Sequence, residues 1–331
     1  MTGVGMGATV GRRGALVALL VAVAMTFGAT HAELTWSDPS GYANSCLAVG
    51  AAVNAPDKAD AGQLALFRQA KTKLGPLTVR RSFDSSLPQT FATSAARGDA
   101  AAGVRSFVSW KPPRGDFRGA ADGKYDHQVT AWAQSVPRTG VYATSFHEPE
   151  NNMTAAEFVA LQRHLYAVVK AANPTIRWGP IYMAYWWDPS APSHYVGRPA
   201  DWWPGAHFAD FAGLDWYGPD PHPMTTSGSF RTWYSTMEPT GVPLFITEYG
   251  QYVHGRGDAP DPLKETERAQ AIRTDAAWIH AHPRIRMWMY WQGVGSQGDW
   301  RLDDPASQRA WRAVVDAGCS ASGHRRGAGA D

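Results

Sequence analysis

An abrupt change of character marks the stretch Val141-Tyr142-Ala143-Thr144-Ser145-Phe146-His147-Glu148-Pro149-Glu150. Its first half is apolar and β-branched, which is typical of a buried strand, and the strand stops at His147-Glu148-Pro149. A carboxylate that follows a buried strand on a proline-stiffened turn cannot easily move out into solvent. We therefore expect Glu148 to be either paired or catalytic.

A second stretch repeats this pattern later in the chain. The segment Val242-Pro243-Leu244-Phe245-Ile246-Thr247-Glu248-Tyr249-Gly250 is again an apolar strand that ends on a glutamate. Two glutamates at the ends of two buried strands suggest an enzyme with paired carboxylates.

Strand and helix patterns alternate along most of the chain. Apolar runs predict eight strands, at 47–53, 77–83, 103–110, 141–146, 176–183, 212–217, 242–248 and 285–291. Helical patterns lie at 60–74, 87–96 (weak), 126–135, 154–172, 229–237, 264–280 and 305–317. This alternation implies parallel strands with helical crossovers, and eight units fit an α/β fold, the single-domain (β/α)8 TIM barrel. A doubly wound open sheet is the alternative, although no glycine-rich phosphate loop follows the first strand.

In such a barrel the carboxyl ends of all strands lie at one rim, where active sites form. Glu148 and Glu248 end the fourth and seventh predicted strands. We therefore expect the two carboxylates to share one face of the domain.

The two ends of the chain differ from its middle. Arg12 and Arg13 precede an apolar core from about 15 to 27, and Thr30-His31-Ala32 offers small residues for cleavage, so 1–32 is predicted to be a signal peptide. An uncleaved membrane anchor is the alternative. The domain then covers 33–319, and 320–331 is a small, polar tail predicted to be disordered. The sequence thus predicts a secreted, extracellular protein without stable membrane association.

The chain has two cysteines, Cys46 and Cys319. In an exported protein they predict one disulfide that ties the start of the domain to its end. Two free, buried thiols are the alternative.

The amino-acid composition limits the kinds of binding partner that we expect. The 331 residues include 15 Trp, 12 Tyr and 12 Phe, and sugar-binding clefts use aromatic rings as stacking platforms, although large cores use them too. The formal net charge is only +2 and no basic patch is visible, which argues against nucleic acid.

Paired carboxylates across a cleft are what glycoside hydrolysis needs. One carboxyl group donates a proton to the leaving oxygen, while the other stays ionised and attacks the anomeric carbon. Their mutual repulsion helps to keep the two pKa values apart.

The motifs resemble those of the clan of retaining (β/α)8 glycoside hydrolases with the acid/base on strand four and the nucleophile on strand seven. The nearest resemblance is to family 26, which includes β-mannanases and related endo-glucanases and xylanases. That family places His before its acid/base glutamate, as in His147-Glu148, and its nucleophile context matches Thr247-Glu248-Tyr249-Gly250. Its sixth strand commonly ends in Asp-x-Tyr, as Asp215-Trp216-Tyr217 does. Pro149-Glu150-Asn151-Asn152 departs from the family, which often has a small or polar residue and Gly there.

The resemblance implies a role for each matched residue. Glu148 would act first as general acid and then as general base, and Glu248 would be the nucleophile. Tyr217 would hydrogen-bond Glu248, and His147 would orient the site or contact the sugar. The further expected contacts are sugar stacking by Trp291, Trp110 and Trp187, and stabilisation of the ionised nucleophile by Arg80 or Arg81, of which at most one can point inward.

We therefore predict a monomeric, retaining, β-mannanase-like glycosidase that acts on a β-linked polysaccharide or oligosaccharide, without metal or cofactor. The alternatives are a non-catalytic carbohydrate-binding barrel, an inverting hydrolase, and a glycosidase of another family in the same clan. The separation of the carboxylates distinguishes the mechanisms, since roughly 5–5.5 Å favours retention and roughly 6.5–9.5 Å favours inversion.

Overall fold

The computed structural model describes residues 46–53, 60–255, 257–295 and 298–319. The predicted signal peptide and C-terminal tail lie outside these residues. The strands are β1 (Ala48–Val53), β2 (Val79–Asp84), β3 (Arg105–Trp110), β4 (Tyr142–Ser145), β5 (Arg177–Trp178), β6 (Ile181–Met183), β7 (Ala212–Gly218), β8 (Leu244–Gln251) and β9 (Ile285–Gln292). The α-helices are α1 (Asp60–Leu74), α2 (Phe117–Ala121), α3 (Asp126–Ser135), α4 (Ala155–Ala172), α5 (Gly228–Met237), α6 (Pro262–Ala281) and α7 (Pro305–Ala317).

The nine strands form one sheet in the order β5-β4-β3-β2-β1-β9-β8-β7-β6, and every pairing in it is parallel. Its outermost strands, β5 and β6, are separated in the chain only by Gly179 and Pro180. The sheet must therefore curl until its two edges approach each other. The predicted α/β class with parallel strands is confirmed, and all strands point their carboxyl ends the same way.

The fifth predicted strand is divided into β5 and β6. Pro180 has no N–H to donate to a ladder. A side-chain carbon added to Gly179 would lie 2.3 Å from the backbone oxygen of Phe211, so only glycine allows this close approach. The expectation of eight uninterrupted strands is thus corrected to nine, because this dipeptide breaks the ladder.

Two of the crossovers contain no α-helix. The weak helix predicted at 87–96 is only a 3-10 turn at Phe91–Thr93, with a second 3-10 turn at Ala100–Ala102 before β3. The connection from β6 to β7 likewise contains 3-10 turns at Ala184–Trp187, Pro199–Trp202 and Ala206–Phe208. Most other predicted helices agree with the structure to within about two residues, because amphipathic periodicity and helix caps both marked them.

The inner side of the sheet is closed at its amino end by a small apolar cluster. It includes the stacked rings of Phe211 and Phe245, whose centroids are 4.6 Å apart, together with Val79 and Tyr142. These residues lie at or near the starts of their strands, so the floor of the sheet is apolar and its polar groups lie towards the opposite rim.

Cys46 and Cys319 form a disulfide, as predicted. The bond joins a position two residues before β1 to the end of the described chain, where the Cys319 N–H also donates a hydrogen bond to the carbonyl of Leu47. Among the described residues, none of the helices combines the length and apolar character that a membrane span requires.

Candidate active site

Glu248 lies within β8 and is 5% exposed. It pairs with Asp215 of β7 at a point where the ladder register shifts, and such irregularities re-aim side chains. One carboxylate oxygen lies 2.9 Å from Nη1 of Arg81, and the other accepts a hydrogen bond from the hydroxyl of Tyr217. Side chains from β2 and β7 therefore hold the Glu248 carboxylate of β8 in place.

Arg81 is the centre of the buried charge network. Its Nη1 also donates to Asp215 over 2.8 Å, and its Nε donates to Ser109 over 3.0 Å. Asp215 accepts a further hydrogen bond from the hydroxyl of Thr247 over 2.6 Å. Burial alone would lower the pKa of Arg81, but Asp215 and Glu248 raise it, so the guanidinium stays charged beneath the site.

Glu148 is held quite differently. It lies beyond β4 in a loop where Phe146 and Glu148 adopt left-handed backbone conformations, with φ of 56° and 54°. Such conformations are costly for non-glycine residues and recur at functional sites. The loop is anchored because the N–H of Phe146 donates to the carbonyl of Trp110 over 2.9 Å, and that of Glu148 donates to Ile181 over 3.0 Å.

Glu150, from the motif that departs from family 26, contributes to this anchoring. It is buried, and its Oε1 accepts a hydrogen bond from the N–H of Met183 over 2.9 Å. Burial raises the pKa of Glu150 well above its usual range. The Glu150 carboxyl group thus fastens the Glu148 loop to β6.

The carboxylates approach one another closely. Glu148, Asp215 and Glu248 each bring one oxygen to within 4.8 Å of the others. Three acidic groups at this spacing could bind a cation, but Arg81 already contacts two of them and supplies positive charge there. We assign no metal to this cluster.

The pKa values of Glu148 and Glu248 are shifted by different neighbouring groups. Burial and the negative charge of Asp215 raise the pKa of Glu148 to about 7, against the opposing charges of Arg81 and Lys111. Burial also raises the pKa of Glu248, but Arg81 and the Tyr217 hydroxyl favour its ionised form. No hydrogen-bond donor among the described residues contacts the Glu148 carboxylate, whereas Arg81 and Tyr217 both contact that of Glu248.

A cleft of about 360 Å³ opens over these carboxylates. It is lined by Phe83, His147, Glu148, Met183, Tyr217, Glu248, Trp291, Gly295 and Trp300. The Phe83 ring contacts both His147 and Trp291, at centroid distances of 5.5 and 5.9 Å. Burial and the charge of Arg81 lower the pKa of His147 well below its usual value, so this imidazole is neutral. The walls are thus aromatic and the polar groups converge at the base.

Three residues expected at the site lie elsewhere. Trp110 is buried between Trp132 and Trp178, and Trp187 is fully buried in the core, so neither ring can stack on a ligand. Arg80 points away from the cleft and pairs with Asp99. Because side chains alternate along a strand, it is Arg81 that reaches Glu248.

Sequence reasoning also missed several cleft residues. Phe83 could have been found, because it lies two positions after Arg81 on β2 and so shares its face. Met183 could also have been found, because it lies at the carboxyl end of β6, beside the cleft. Trp300 carried no such signal: it lies outside the regular elements, and its ring contacts Tyr217 at 5.0 Å.

Comparisons with known proteins support the fold. No family model matches the chain, and no curated protein matches it in sequence. Among solved structures, it is similar to a modular family 26 endo-β-1,4-mannanase from Cellulomonas fimi, with a TM-score of 0.58 and 15% identity over 85% of this chain and 73% of the mannanase. A ruminal family 26 endo-β-1,4-mannanase gives a TM-score of 0.52 and 14% identity over 83% of this chain and 63% of that one. A glucosidase from Croceicoccus marinus gives 0.52 and 14%, over 85% and 68%.

This chain therefore spans less than two thirds of the ruminal mannanase. At these identities the likeness is one of fold. The predicted resemblance to (β/α)8 glycoside hydrolases is confirmed at that level, and family 26 mannanases are among the structures that share it.

Proposed function

We propose that the chain is a retaining glycoside hydrolase that cleaves a β-linked polysaccharide. The observation that carries the proposal is the pair Glu148 and Glu248, which face one cleft with oxygens no more than 4.8 Å apart. Glu248 contacts Arg81 and Tyr217, whereas the Glu148 carboxylate has no direct donor in the described part of the chain. This approach is consistent with the roughly 5–5.5 Å separation of retaining enzymes and is well below the roughly 6.5–9.5 Å of inverting ones.

In the first step Glu248 attacks the anomeric carbon while Glu148 donates its proton to the glycosidic oxygen. The bond to the leaving chain breaks, and an ester between the sugar and Glu248 forms. Arg81 and Tyr217 stabilise the ionised nucleophile beforehand.

In the second step Glu148, now ionised, removes a proton from water, which attacks the same carbon from the opposite side to the ester. Glu248 leaves as a carboxylate, and the sugar regains its original configuration. Esterification has meanwhile removed the negative charge of Glu248, which lowers the cost of ionising Glu148 beside it. One residue can thus serve as acid and then as base.

The substrate class is supported by the lining of the cleft. Phe83, Trp291 and Trp300 offer flat apolar surfaces, and pyranose rings have apolar faces that pack on such surfaces. Structures that share the fold include β-1,4-mannanases and β-1,4-galactanases. We propose a neutral β-glycan of this kind, with a mannan as the first substrate to assay.

The finer description of the chain belongs to the same proposal. We treat β5 and β6 as two parts of one strand, which makes the sheet an eight-unit (β/α)8 barrel in a single catalytic domain at 33–319. The disulfide is of a type found mainly in exported proteins, and it supports secretion after removal of a signal peptide at 1–32.

Product stereochemistry tests this function. The protein is incubated with mannan, galactan, xylan and mixed-linkage β-glucan, and new reducing ends are measured. An aryl β-oligosaccharide of the cleaved type is then hydrolysed inside a proton NMR spectrometer. We expect the β-anomer to appear first and to mutarotate later.

The other outcomes are informative. If the α-anomer appears first, the enzyme inverts and the assignment of Glu248 as nucleophile is wrong. If none of the four glycans releases reducing ends, the non-catalytic carbohydrate-binding barrel is the better description.

A further inference from the structure

A partly exposed aromatic cluster lies in the connection that follows β6. Tyr185, Trp186 and His194 contact one another, with ring-centroid distances of 4.4 Å for Tyr185–His194, 5.3 Å for Tyr185–Trp186 and 6.3 Å for Trp186–His194. Tyr185 is 50% exposed. The one other large apolar side chain that is exposed among the described residues is Leu263 of α6, at 68%. We call the three rings the rim platform.

The local backbone explains why these rings point outward. Ala184–Trp187 is a 3-10 turn, in which residues three apart lie on the same side. Ala184 and Trp187 are buried, and the Trp187 ring packs on Trp202 at 5.9 Å. Tyr185 and Trp186 must therefore face away from the core. The buried tryptophan, which the sequence suggested as a sugar platform, instead anchors its neighbours.

The rest of the connection holds the rim platform in place. The N–H of Val196 donates to the carbonyl of Trp186, and the N–H groups of His194 and Tyr195 both donate to Ala191. Rings already packed against each other lose little conformational freedom when a ligand binds, which favours affinity. An exposed aromatic ring that contributes little to the core is a candidate contact for a ligand.

The rim platform follows a cleft residue closely along the chain. Met183, at the end of β6, lines the cleft and lies two residues before Tyr185. The neighbouring strands β7, β8 and β9 then contribute Tyr217, Glu248 and Trp291. On the platform side, the N–H of Glu148 is hydrogen-bonded to Ile181 of β6. The rim platform therefore follows β6, the strand to which the Glu148 loop is hydrogen-bonded.

We propose that the rim platform is a second sugar-binding site, at which Tyr185 stacks on a pyranose of the same β-glycan outside the cleft. Because Glu148 protonates the oxygen that leaves with the departing chain, we assign the platform to that chain. The proposal rests on the proposed function for the identity of the ligand. It predicts that long substrates gain contacts that short aryl glycosides cannot make.

Binding is tested by affinity electrophoresis in gels that contain one of the four soluble β-glycans. The parent protein carries Glu248→Ala, so that the polysaccharide is not degraded during the run. Tyr185→Ala is added to this background, and Leu263→Ala is the matched control, since it also removes an exposed apolar side chain. We expect Tyr185→Ala to raise the apparent Kd by about 3- to 10-fold, the loss of one aromatic stacking contact, while Leu263→Ala matches the parent.

Kinetics with intact Glu248 provide the second measurement. The ratio of kcat/KM on the polysaccharide to kcat/KM on an aryl oligosaccharide is expected to fall about 3- to 10-fold in Tyr185→Ala, mainly through KM. Thermal unfolding of each variant shows whether its fold is retained. Tyr185→Phe keeps the ring and should restore the ratio.

The outcomes separate this proposal from the hydrolase itself. Equal retardation of Tyr185→Ala and Leu263→Ala overturns the rim platform, even where hydrolysis is observed. Retardation of the parent through Tyr185, together with no release of reducing ends by the protein with intact Glu248, supports the platform and contradicts the hydrolase. A parent that none of the four glycans retards contradicts the platform as well.

Discussion

The ends of β4 and β8 present the same side chain to one cleft in two different ways. Glu248 is part of β8, is almost fully buried and has two partners, Arg81 and Tyr217. Glu148 lies beyond its strand in a left-handed backbone conformation, and its carboxylate has no donor among the described residues. Chemically identical residues therefore have unlike surroundings.

The two glutamates differ because a positive charge contacts Glu248 directly, whereas none within the described ranges contacts Glu148. A guanidinium at 2.9 Å favours the ionised form of Glu248, although burial opposes it. Glu148 has burial without a direct partner, and its pKa rises to about 7. A nucleophile must be charged and a general acid must be protonated, so this asymmetry matches the two roles of a retaining mechanism.

Removal of the nucleophile should have the largest effect. Glu248→Ala is expected to lower kcat by on the order of 10⁴- to 10⁶-fold, because no covalent intermediate can form. Steady-state rates on an aryl β-glycoside measure the loss. Azide should restore turnover and give a glycosyl azide of inverted configuration, and residual activity near wild type would remove Glu248 from the mechanism.

Loss of the acid/base should be smaller and should depend on the substrate. Glu148→Gln is expected to lower kcat/KM about 10²- to 10⁴-fold on polysaccharide, the usual contribution of general acid–base catalysis. Aryl glycosides with good leaving groups need less protonation and should lose less. Glu150→Gln is the control, since the amide can still accept from the Met183 N–H; an equal loss in that variant would contradict the distinction.

The Tyr217 hydroxyl offers a finer test of the partners of Glu248. Tyr217→Phe removes one hydrogen bond to a charged group, worth about 1.5–3 kcal/mol, so kcat should fall about 10- to 100-fold. That hydrogen bond lowers the pKa of Glu248, so its loss raises this pKa and moves the acidic limb of the pH–rate profile to higher pH. Tyr234→Phe, on the outer helix α5, should change neither quantity. An unmoved acidic limb in Tyr217→Phe would show that the hydroxyl does not stabilise the ionised nucleophile.

The pH dependence of kcat/KM tests the contrast between Glu148 and Glu248 with the smallest expected effect. The pKa of Glu148 is raised to about 7, so the proton-donating form is present below that pH and is lost as the pH rises through it. We expect kcat/KM to fall about tenfold per pH unit above that value. The same limb should be absent in Glu148→Gln; if it persists there, another group titrates.

Much of this arrangement could be predicted from local patterns. Apolar runs and helix caps located most of the strands and helices, and two glutamates at strand ends pointed to one rim. The patterns failed where a choice depended on partners far away in the chain. Arg80 and Arg81 look equivalent in sequence, yet one pairs with Asp99 and the other with Glu248. The tryptophans were equally ambiguous, because composition does not reveal which side of a turn a ring occupies.

The sequence by itself predicted the α/β class and the location of Glu148 and Glu248 towards the carboxyl ends of β4 and β8, because periodicity and chain order are local properties. It also favoured one disulfide over two free thiols. Only the tertiary structure decided that Arg81 serves Glu248, that Glu148 is left without a direct partner, and that Tyr185 rather than Trp187 faces solvent. Burial and charge compensation depend on groups that meet only when the sheet curls. The surroundings of Glu148 in the Val141–Glu150 stretch are therefore determined only when the tertiary structure forms.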